Sequence, residues 1–197
     1  MNSTSTLEFA LFGLLRQKAQ AGYDLRKTFT ETAMRHYSDS PGSIYPALRR
    51  LVGKGLIEAE PRDRRGREVF HLTPAGVEAL LKWLAQDLTR EDVTFRVPEV
   101  MLRFAFMDGN VPRSTALRFL EQFEREFSVY VGKMRAQFDE MSARFPVHTG
   151  LLAFQSGIEG MEAQLSWARQ ARRRLEEDAK ARLGCPTVGC PERNMAE

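Results

Sequence analysis

The chain has 197 residues, of which 43% are hydrophobic and 28% charged, with a net charge of +3 and two cysteines. This length allows one large or two small domains with apolar cores, and two cysteines cannot build a disulfide framework. No apolar run reaches the roughly 18–20 residues of a membrane span, and the N-terminus lacks a secretory signal. The composition therefore predicts a cytoplasmic protein without a membrane partner.

The excess positive charge lies in the first half of the chain. Residues 1–88 hold 13 Lys and Arg against 10 Asp and Glu, whereas residues 89–197 hold 16 of each sign. The segment Pro61–Arg67, PRDRRGR, carries four arginines and one aspartate. Such a run is often a solvated loop, so its meaning depends on where the fold places it.

Three helices are predicted before this run. LEFALFGLL, from Leu7, is apolar almost all round, and GYDLRKTFTETAMRHY follows with apolar residues at helical spacing. In SPGSIYPALRRLVGKG, at 100° per residue, one face is apolar and the opposite face is not. The apolar face holds Ile44, Ala47, Leu48, Leu51 and Val52. The opposite face holds Tyr45, Pro46, Arg49, Arg50 and Gly53, with Ser40 or Ser43 expected as the N-cap.

The next elements are two short strands and a fourth helix. LIEAE and EVFHL are rich in β-branched and aromatic residues, and PRDRRGR between them becomes the tip of a hairpin. Thr73-Pro74 opens the helix. The order helix, helix, helix, hairpin, helix predicts a winged helix-turn-helix domain over residues 1–88.

In such a domain the third helix enters the major groove of DNA by its N-terminal end. Arg49 and Arg50 can bind guanine or phosphate, and Tyr45 and Ser43 can donate to phosphate or touch a thymine methyl group. Lys54 suits a phosphate, and the hairpin arginines suit flanking phosphates or the minor groove. The predicted DNA-binding residues are Ser43, Tyr45, Pro46, Arg49, Arg50, Lys54, Arg62, Arg64, Arg65 and Arg67.

Four segments over residues 7–88 carry a family resemblance: LEFALFGLL, GYDL, SPGSIYPALRRLVGKGLI and GREVFHLTPAG. Together they resemble the PadR-type transcriptional regulators. The resemblance implies a winged-helix domain that binds a palindromic operator as a dimer, usually as a repressor, with Ser43, Tyr45, Pro46 and Arg49 in the recognition helix.

The second half predicts a linker over residues 89–96 and a helical dimerisation domain over residues 97–183, followed by a disordered tail over 184–197. Two helices of about 30 residues, Pro112 to Phe145 and Gly150 to Leu183, carry apolar residues at heptad-like spacing. Their seams predict contact with the same helices of a second chain, with an intramolecular hairpin that packs on the first domain as the alternative. The expected dimer residues are Leu120, Phe123, Phe127, Val131, Met134, Phe138, Ile158, Met161 and Leu165. This half, including GIEGMEAQLSW, is similar to the C-terminal domain of the larger PadR subfamily.

The sequence therefore predicts a mainly α protein that acts as a homodimeric DNA-binding regulator, with double-stranded DNA as its partner. A small aromatic effector is admitted by the resemblance, in a cleft lined by Trp83, Phe104, Phe154 and Trp167. No metal, cofactor or enzyme motif is found, and Cys185 and Cys190 have no assigned role. The alternatives are an activator, or an adaptor that uses the winged helix for protein contacts.

Overall fold

The computed structural model describes residues 5–37, 41–61, 64 and 66–184. The described helices, α1 to α8, are Thr6–Gln17, Gly22–Glu31, Ile44–Gly53, Pro74–Ala85, Arg90–Phe95, Val97–Ala105, Arg113–Arg144 and Thr149–Gly184. The described strands, β1 to β3, are Gln20–Ala21, Ile57–Ala59 and Val69–Leu72, and short 3₁₀ turns cover Ala33–Tyr37 and Pro41–Ser43. The mainly α fold class is confirmed. None of the described helices combines the length and hydropathy that crossing a bilayer requires.

The first three helices are followed by an antiparallel β2–β3 hairpin and then by α4, as the sequence predicts for a winged helix-turn-helix. Strand β1 pairs with the other side of β3, so the sheet order is β1-β3-β2. In the hairpin Ile57 pairs with Leu72, which places Ile57 in the core and Glu58 outside. The hairpin is therefore joined to the helical core by its own strands and also by β1.

Helix α3 buries one face, as its periodicity predicts. Ile44, Ala47, Leu48 and Leu51 are each at most 1% exposed, whereas Val52, which the helical wheel assigns to the same face, is 39% exposed. Val52 lies at the edge of the apolar stripe, where the core ends. Ser43 occupies the N-cap position, but its φ of −80° and ψ of −22° are helical, and it makes no side-chain cap bond.

The predicted linker over residues 89–96 instead forms α5, Arg90–Phe95. The Thr89 side chain accepts a hydrogen bond from the Asp92 amide at 3.2 Å, and the Asp92 carboxylate accepts one from the Thr89 amide at 2.9 Å. This capping box stabilises a helix whose polarity otherwise resembles that of a linker. The chain divides into two compact units with the boundary between Ala116 and Leu117, so α6 belongs to the first unit and not to the second.

The second unit contains an antiparallel pair of helices, α7 and α8. Arg135 Nε donates to Glu162 at 3.1 Å, Arg172 Nε donates to Glu124 at 2.8 Å, and the Phe138 and Phe154 rings lie 6.1 Å apart. These contacts correct the expectation that the apolar seams need a second chain, because two antiparallel helices can cover each other. The seam residues buried within one chain are Leu120, Phe123, Phe127, Val131, Ile158 and Leu165, and those half-buried are Met134, Phe138 and Met161.

Candidate nucleic-acid interface

The outward face of α3 and the hairpin share one concave surface. A cavity of about 520 Å³ lies between α3, the start of α2 and the hairpin. Its polar side chains are those of Tyr23, Tyr45, Arg49, Arg67 and Glu68, so two arginines stand against one carboxylate. The structure therefore brings together one recognition-helix arginine, one hairpin arginine and two phenols. We call this surface the basic cleft.

Tyr45 is held in the basic cleft by a neighbouring glycine. Its side chain is partly covered, with 40% exposure, and a Cβ atom built on Gly22 would lie 2.9 Å from Tyr45 Cε1. The tyrosine ring therefore packs directly on the first residue of α2. Pro46 and Ser43 are half-buried at the start of α3. Proline is tolerated there because backbone amides in the first turn of a helix have no hydrogen-bond partner within the helix.

Tyr23 is a further candidate, which is not among the DNA-binding residues predicted from the sequence. It is 58% exposed beside Tyr45 in the basic cleft, and the Arg26 guanidinium carbon lies 5.5 Å from the centre of its ring. A large exposed aromatic residue next to a cation is suited to contact with a phosphate or sugar. The GYDL segment was a signal for this site, but only the structure sets Tyr23 beside α3.

Arg50 and Lys54 differ from Arg49 because both contact Glu8 of α1. Arg50 Nε donates to Glu8 Oε1 at 3.1 Å, and Lys54 Nζ lies 3.5 Å from Glu8 Oε2. The Glu8 side chain is 3% exposed, whereas that of Arg50 is 53% exposed. The sequence signal for Glu8 was a single acidic residue inside an apolar run, three positions after Ser5.

The hairpin arginines fall partly within the described residues. Arg64 and Arg67 are exposed, and Gly66 has a φ of 74°, which favours glycine in the turn. Arg62 and Arg65 lie outside the described residues. Below this tip, Nε2 of His71 in β3 lies 2.7 Å from Oε1 of Glu60, the residue that follows β2.

The TPAG segment fixes the hairpin against the end of α3. Thr73 Oγ1 donates to the Gly55 carbonyl at 2.8 Å and accepts from the Gly76 amide at 3.1 Å. A Cβ atom on Gly76 would overlap the carbonyl oxygen of Leu56, so helix α4 approaches the backbone at a distance that only glycine allows. This contact sets the orientation of the hairpin relative to the recognition helix.

The predicted effector residues fall in separate units. Trp83 and Phe104 belong to the first unit, and Phe154 and Trp167 belong to the second. Trp83 stacks on Phe9 with ring centres 4.4 Å apart and an angle of 6°. Phe104 is half-buried in α6, Phe154 contacts Phe138, and Trp167 is 38% exposed.

A second cavity, of about 630 Å³, lies beside the Phe9–Trp83 stack in the first unit. Arg103, which is 6% exposed, lines it together with Asp87 and Asp92. Burial lowers the pKa of Arg103 to about 10, and the charges of Asp92 and Asp87 oppose this shift. The guanidinium therefore remains charged at neutral pH. Among the described residues no group of three or more His, Cys, Asp or Glu side chains is arranged to hold a metal ion; Cys185 and Cys190 lie outside them.

The element order and the basic cleft define a winged helix-turn-helix protein with an arginine on its recognition helix. The first unit carries a PadR-like domain: residues 11–82 match the family model described as "Transcriptional regulator PadR-like family". This domain is the one that transcriptional regulators of that family carry. The long helices of the second unit fit the larger subfamily.

The relatives of the chain include two curated regulators. The "Negative transcriptional regulator PadR" of Bacillus subtilis (strain 168) is 24% identical over 181 residues, which cover 87% of this chain and 98% of that protein. "Transcriptional regulator Rv3488" of Mycobacterium tuberculosis is 43% identical over 67 residues, which cover 32% of this chain and 63% of that protein.

Two crystal structures of Bacillus subtilis PadR are also similar. The complex with operator DNA is 20% identical and covers 88% of this chain and 99% of that one, with a TM-score of 0.41. The complex with p-coumaric acid is 21% identical and covers 89% of this chain and 98% of that one, also with a TM-score of 0.41.

Proposed function

We propose that this chain is a repressor that binds a palindromic DNA operator as a homodimer and is released by a small aromatic effector. The observation that carries DNA binding is the basic cleft, where Tyr45 and Arg49 of α3 lie beside Arg67 of the hairpin. A helix that presents an arginine beside a basic hairpin suits a major groove and the adjoining phosphates. Repression follows the name of the Bacillus subtilis relative, a negative regulator.

Arg49 is the proposed base reader. It is exposed on the outward face of α3 and lines the cleft, whereas Arg50 and Lys54 contact Glu8. A guanidinium can donate two hydrogen bonds to the O6 and N7 atoms of guanine. Tyr45, Tyr23 and Arg67 would then contact the sugar–phosphate backbone.

The homodimer is supported by apolar residues that remain exposed on the second unit after α7 and α8 have covered each other. These residues are Val129, Phe145, Val147, Leu152 and Trp167, at 44%, 54%, 76%, 52% and 38% exposure. Large apolar side chains that are exposed in one chain are available for contact with a second chain. A two-fold pair would present two recognition helices to the two half-sites of a palindrome.

The effector is proposed to bind in the cavity beside the Phe9–Trp83 stack. The stack offers an aromatic wall, and Arg103 offers a buried positive charge beside the carboxylates of Asp87, Asp92 and Glu99. A planar ring that carries both a carboxylate, for the arginine, and a phenolic hydroxyl, which donates to a carboxylate, fits this lining. Fluorescence titration with p-coumaric acid tests this, because Trp167→Phe leaves Trp83 as the single emitter of the two tryptophans. We expect saturable quenching that Arg103→Met weakens; emission that does not change with added ligand would contradict the effector site.

The DNA-binding proposal is tested by footprinting the full chain on genomic DNA fragments. The expected result is protection of a palindromic site, with the two half-sites centred about one helical turn, ~10 base pairs, apart. A transcription assay from a promoter carrying that site should show lower output with the protein present. Protection that is absent on every fragment, or uniform over all sequences, would contradict a sequence-specific repressor.

A further inference from the structure

Glu8 makes contacts beyond those that cap α1. It occupies the third position of α1, where its Oε2 accepts from the Ser5 amide at 3.1 Å and completes a capping box. The same carboxylate also contacts Arg50 and Lys54 at the C-terminal end of α3. A carboxylate this deeply buried needs compensating charge, and the two cations supply it.

The consequence for DNA concerns the charges of the recognition helix. Of Arg49, Arg50 and Lys54, only Arg49 lines the basic cleft, and the other two contact a buried anion. Arginines and lysines that contact phosphates raise the affinity for every DNA sequence alike. Each such contact also releases counterions, so it makes binding more dependent on salt. A carboxylate beside them reduces that contribution.

We propose that Glu8 is a specificity-determining residue of the DNA-binding surface. It holds Arg50 and Lys54 on the α1 side of the recognition helix, so that they add little to nonspecific phosphate binding and Arg49 dominates the readout. This inference rests on the proposed function, and it assigns the role of Glu8 to discrimination between DNA sequences as well as to the capping of α1.

Glu8→Gln separates the two roles. Glutamine at the third helical position also completes a capping box, and it has nearly the same volume as glutamate. The substitution therefore keeps the cap of α1 and removes the charge that holds the two cations. Ser5→Ala is the matched control, because it removes the capping hydroxyl that accepts from the Glu8 amide at 3.3 Å and leaves every charge in place.

The measurement is fluorescence anisotropy of the full chain on a labelled duplex with the operator and on one without it, over a range of salt concentrations. For Glu8→Gln we expect the nonspecific log–log salt slope to steepen by about one to two units per subunit, since each new phosphate contact adds about 0.9. Nonspecific affinity at low salt should rise at least about tenfold, and the ratio of operator to nonspecific affinity should fall. Ser5→Ala should lower the melting temperature and leave both slopes unchanged.

A neutral triple variant, Glu8→Gln with Arg50→Gln and Lys54→Gln, provides the second arm. If the two cations are held in the native protein, removing all three charges should return the nonspecific slope to the wild-type value. A triple-variant slope that is shallower than wild type by about two units per subunit means that Arg50 and Lys54 already contact phosphates, and it overturns the inference. A folded Glu8→Gln variant with an unchanged slope and ratio overturns it as well.

The wild-type titration distinguishes this inference from the function on which it rests. A wild-type chain that binds neither duplex at low salt contradicts the proposed function, and the inference with it. A wild-type chain that discriminates between the duplexes, paired with a Glu8→Gln variant that discriminates equally well, overturns the role of Glu8 alone.

Discussion

The ring of Tyr45 packs on the backbone of Gly22, where an added Cβ would lie 2.9 Å from Tyr45 Cε1 and 3.2 Å from Phe70 Cε2. The first residue of α2 thus holds a side chain of the recognition helix in place. Both contacts would be made with ring edges, which can move, and not with the backbone. Residue 22 therefore controls where the Tyr45 hydroxyl points more than it controls the stability of the fold.

Gly22→Ala should displace Tyr45 and weaken operator binding with little loss of stability. We expect affinity to fall by about 0.5–1.5 kcal/mol, the net worth of one hydrogen bond, and the free energy of unfolding to change by less than that. Tyr45→Phe should cause a similar loss, and the double variant should lose no more than either single one, because both act through one hydroxyl. Additive losses would show that Gly22 acts elsewhere.

Glycine 132 of α7 provides the control for this prediction. A Cβ there would meet nothing within 4 Å, and the residue is helical. Gly132→Ala should raise the free energy of unfolding by roughly 0.5–1 kcal/mol through helix propensity and leave operator binding unchanged. A loss of DNA affinity in this variant would show that glycine substitutions disturb binding in general.

Gly76→Ala should destabilise the first unit, because the added methyl group would overlap a carbonyl oxygen of the backbone at Leu56. A backbone atom cannot rotate away as a side chain can, so the start of α4 must shift. We expect the free energy of unfolding, measured by urea unfolding with circular dichroism, to fall by about 1–3 kcal/mol. Gly157→Ala in α8, where a Cβ meets nothing within 4 Å, is the matched substitution and should be neutral or stabilising.

The elements that periodicity defines were predictable from the sequence. The buried face of α3, the β2–β3 hairpin and the long helices follow from local patterns of apolar residues, which depend only on near neighbours in the chain. Arg49 and Arg67 were predicted as DNA-binding residues from their places on the polar face of α3 and on the hairpin tip, and both line the basic cleft.

Relationships between distant segments were not predictable in this way. The contact of Glu8 with Arg50 spans 42 positions, and no local pattern indicates which acidic residue faces which arginine. The heptad-like seams were assigned to a second chain because spacing shows that a face is apolar but not what covers it. Helix α5 was expected as a linker because its composition is polar, although its Thr89–Asp92 capping box is legible in the sequence.

Two exposed apolar residues of α8 test the proposed dimer. Leu152→Glu with Trp167→Glu should convert a dimer into monomers without loss of helicity, because both side chains are exposed within one chain and are proposed to meet a partner. Phe127→Ala should behave differently, since Phe127 is 2% exposed; it should cost about 3–5 kcal/mol of folding free energy by leaving a cavity. Sedimentation velocity and thermal unfolding separate these effects. A wild-type chain that sediments as a monomer would contradict the proposed homodimer.

Arg49→Ala should remove base recognition. The expected loss is about 1–3 kcal/mol in operator affinity, together with a flattened preference at one base pair of each half-site. Competition binding with operators substituted one position at a time measures that preference. Lys133→Ala on the exposed surface of α7 removes the same charge and should leave the preference intact. Equal weakening on every sequence would reassign Arg49 to a phosphate.

The hairpin should set much of the salt dependence. Arg64 and Arg67 are exposed, and Arg67 lines the basic cleft with Arg49, so both are placed to neutralise phosphates beside the site that Arg49 reads. Because each phosphate contact adds about 0.9 to the log–log salt slope and a dimer has two hairpins, changing both arginines to alanine should make the slope shallower by roughly two to four units. The affinities for operator and for nonspecific DNA should fall alike, and the free energy of unfolding should change by less than about 0.5 kcal/mol.

Lys133→Ala with Arg169→Ala is the control, because it removes the same charge from exposed positions of the second unit and should leave the slope unchanged. If the hairpin variant keeps the wild-type slope and affinity, the arginines of the tip are solvated and recognition depends on α3 alone.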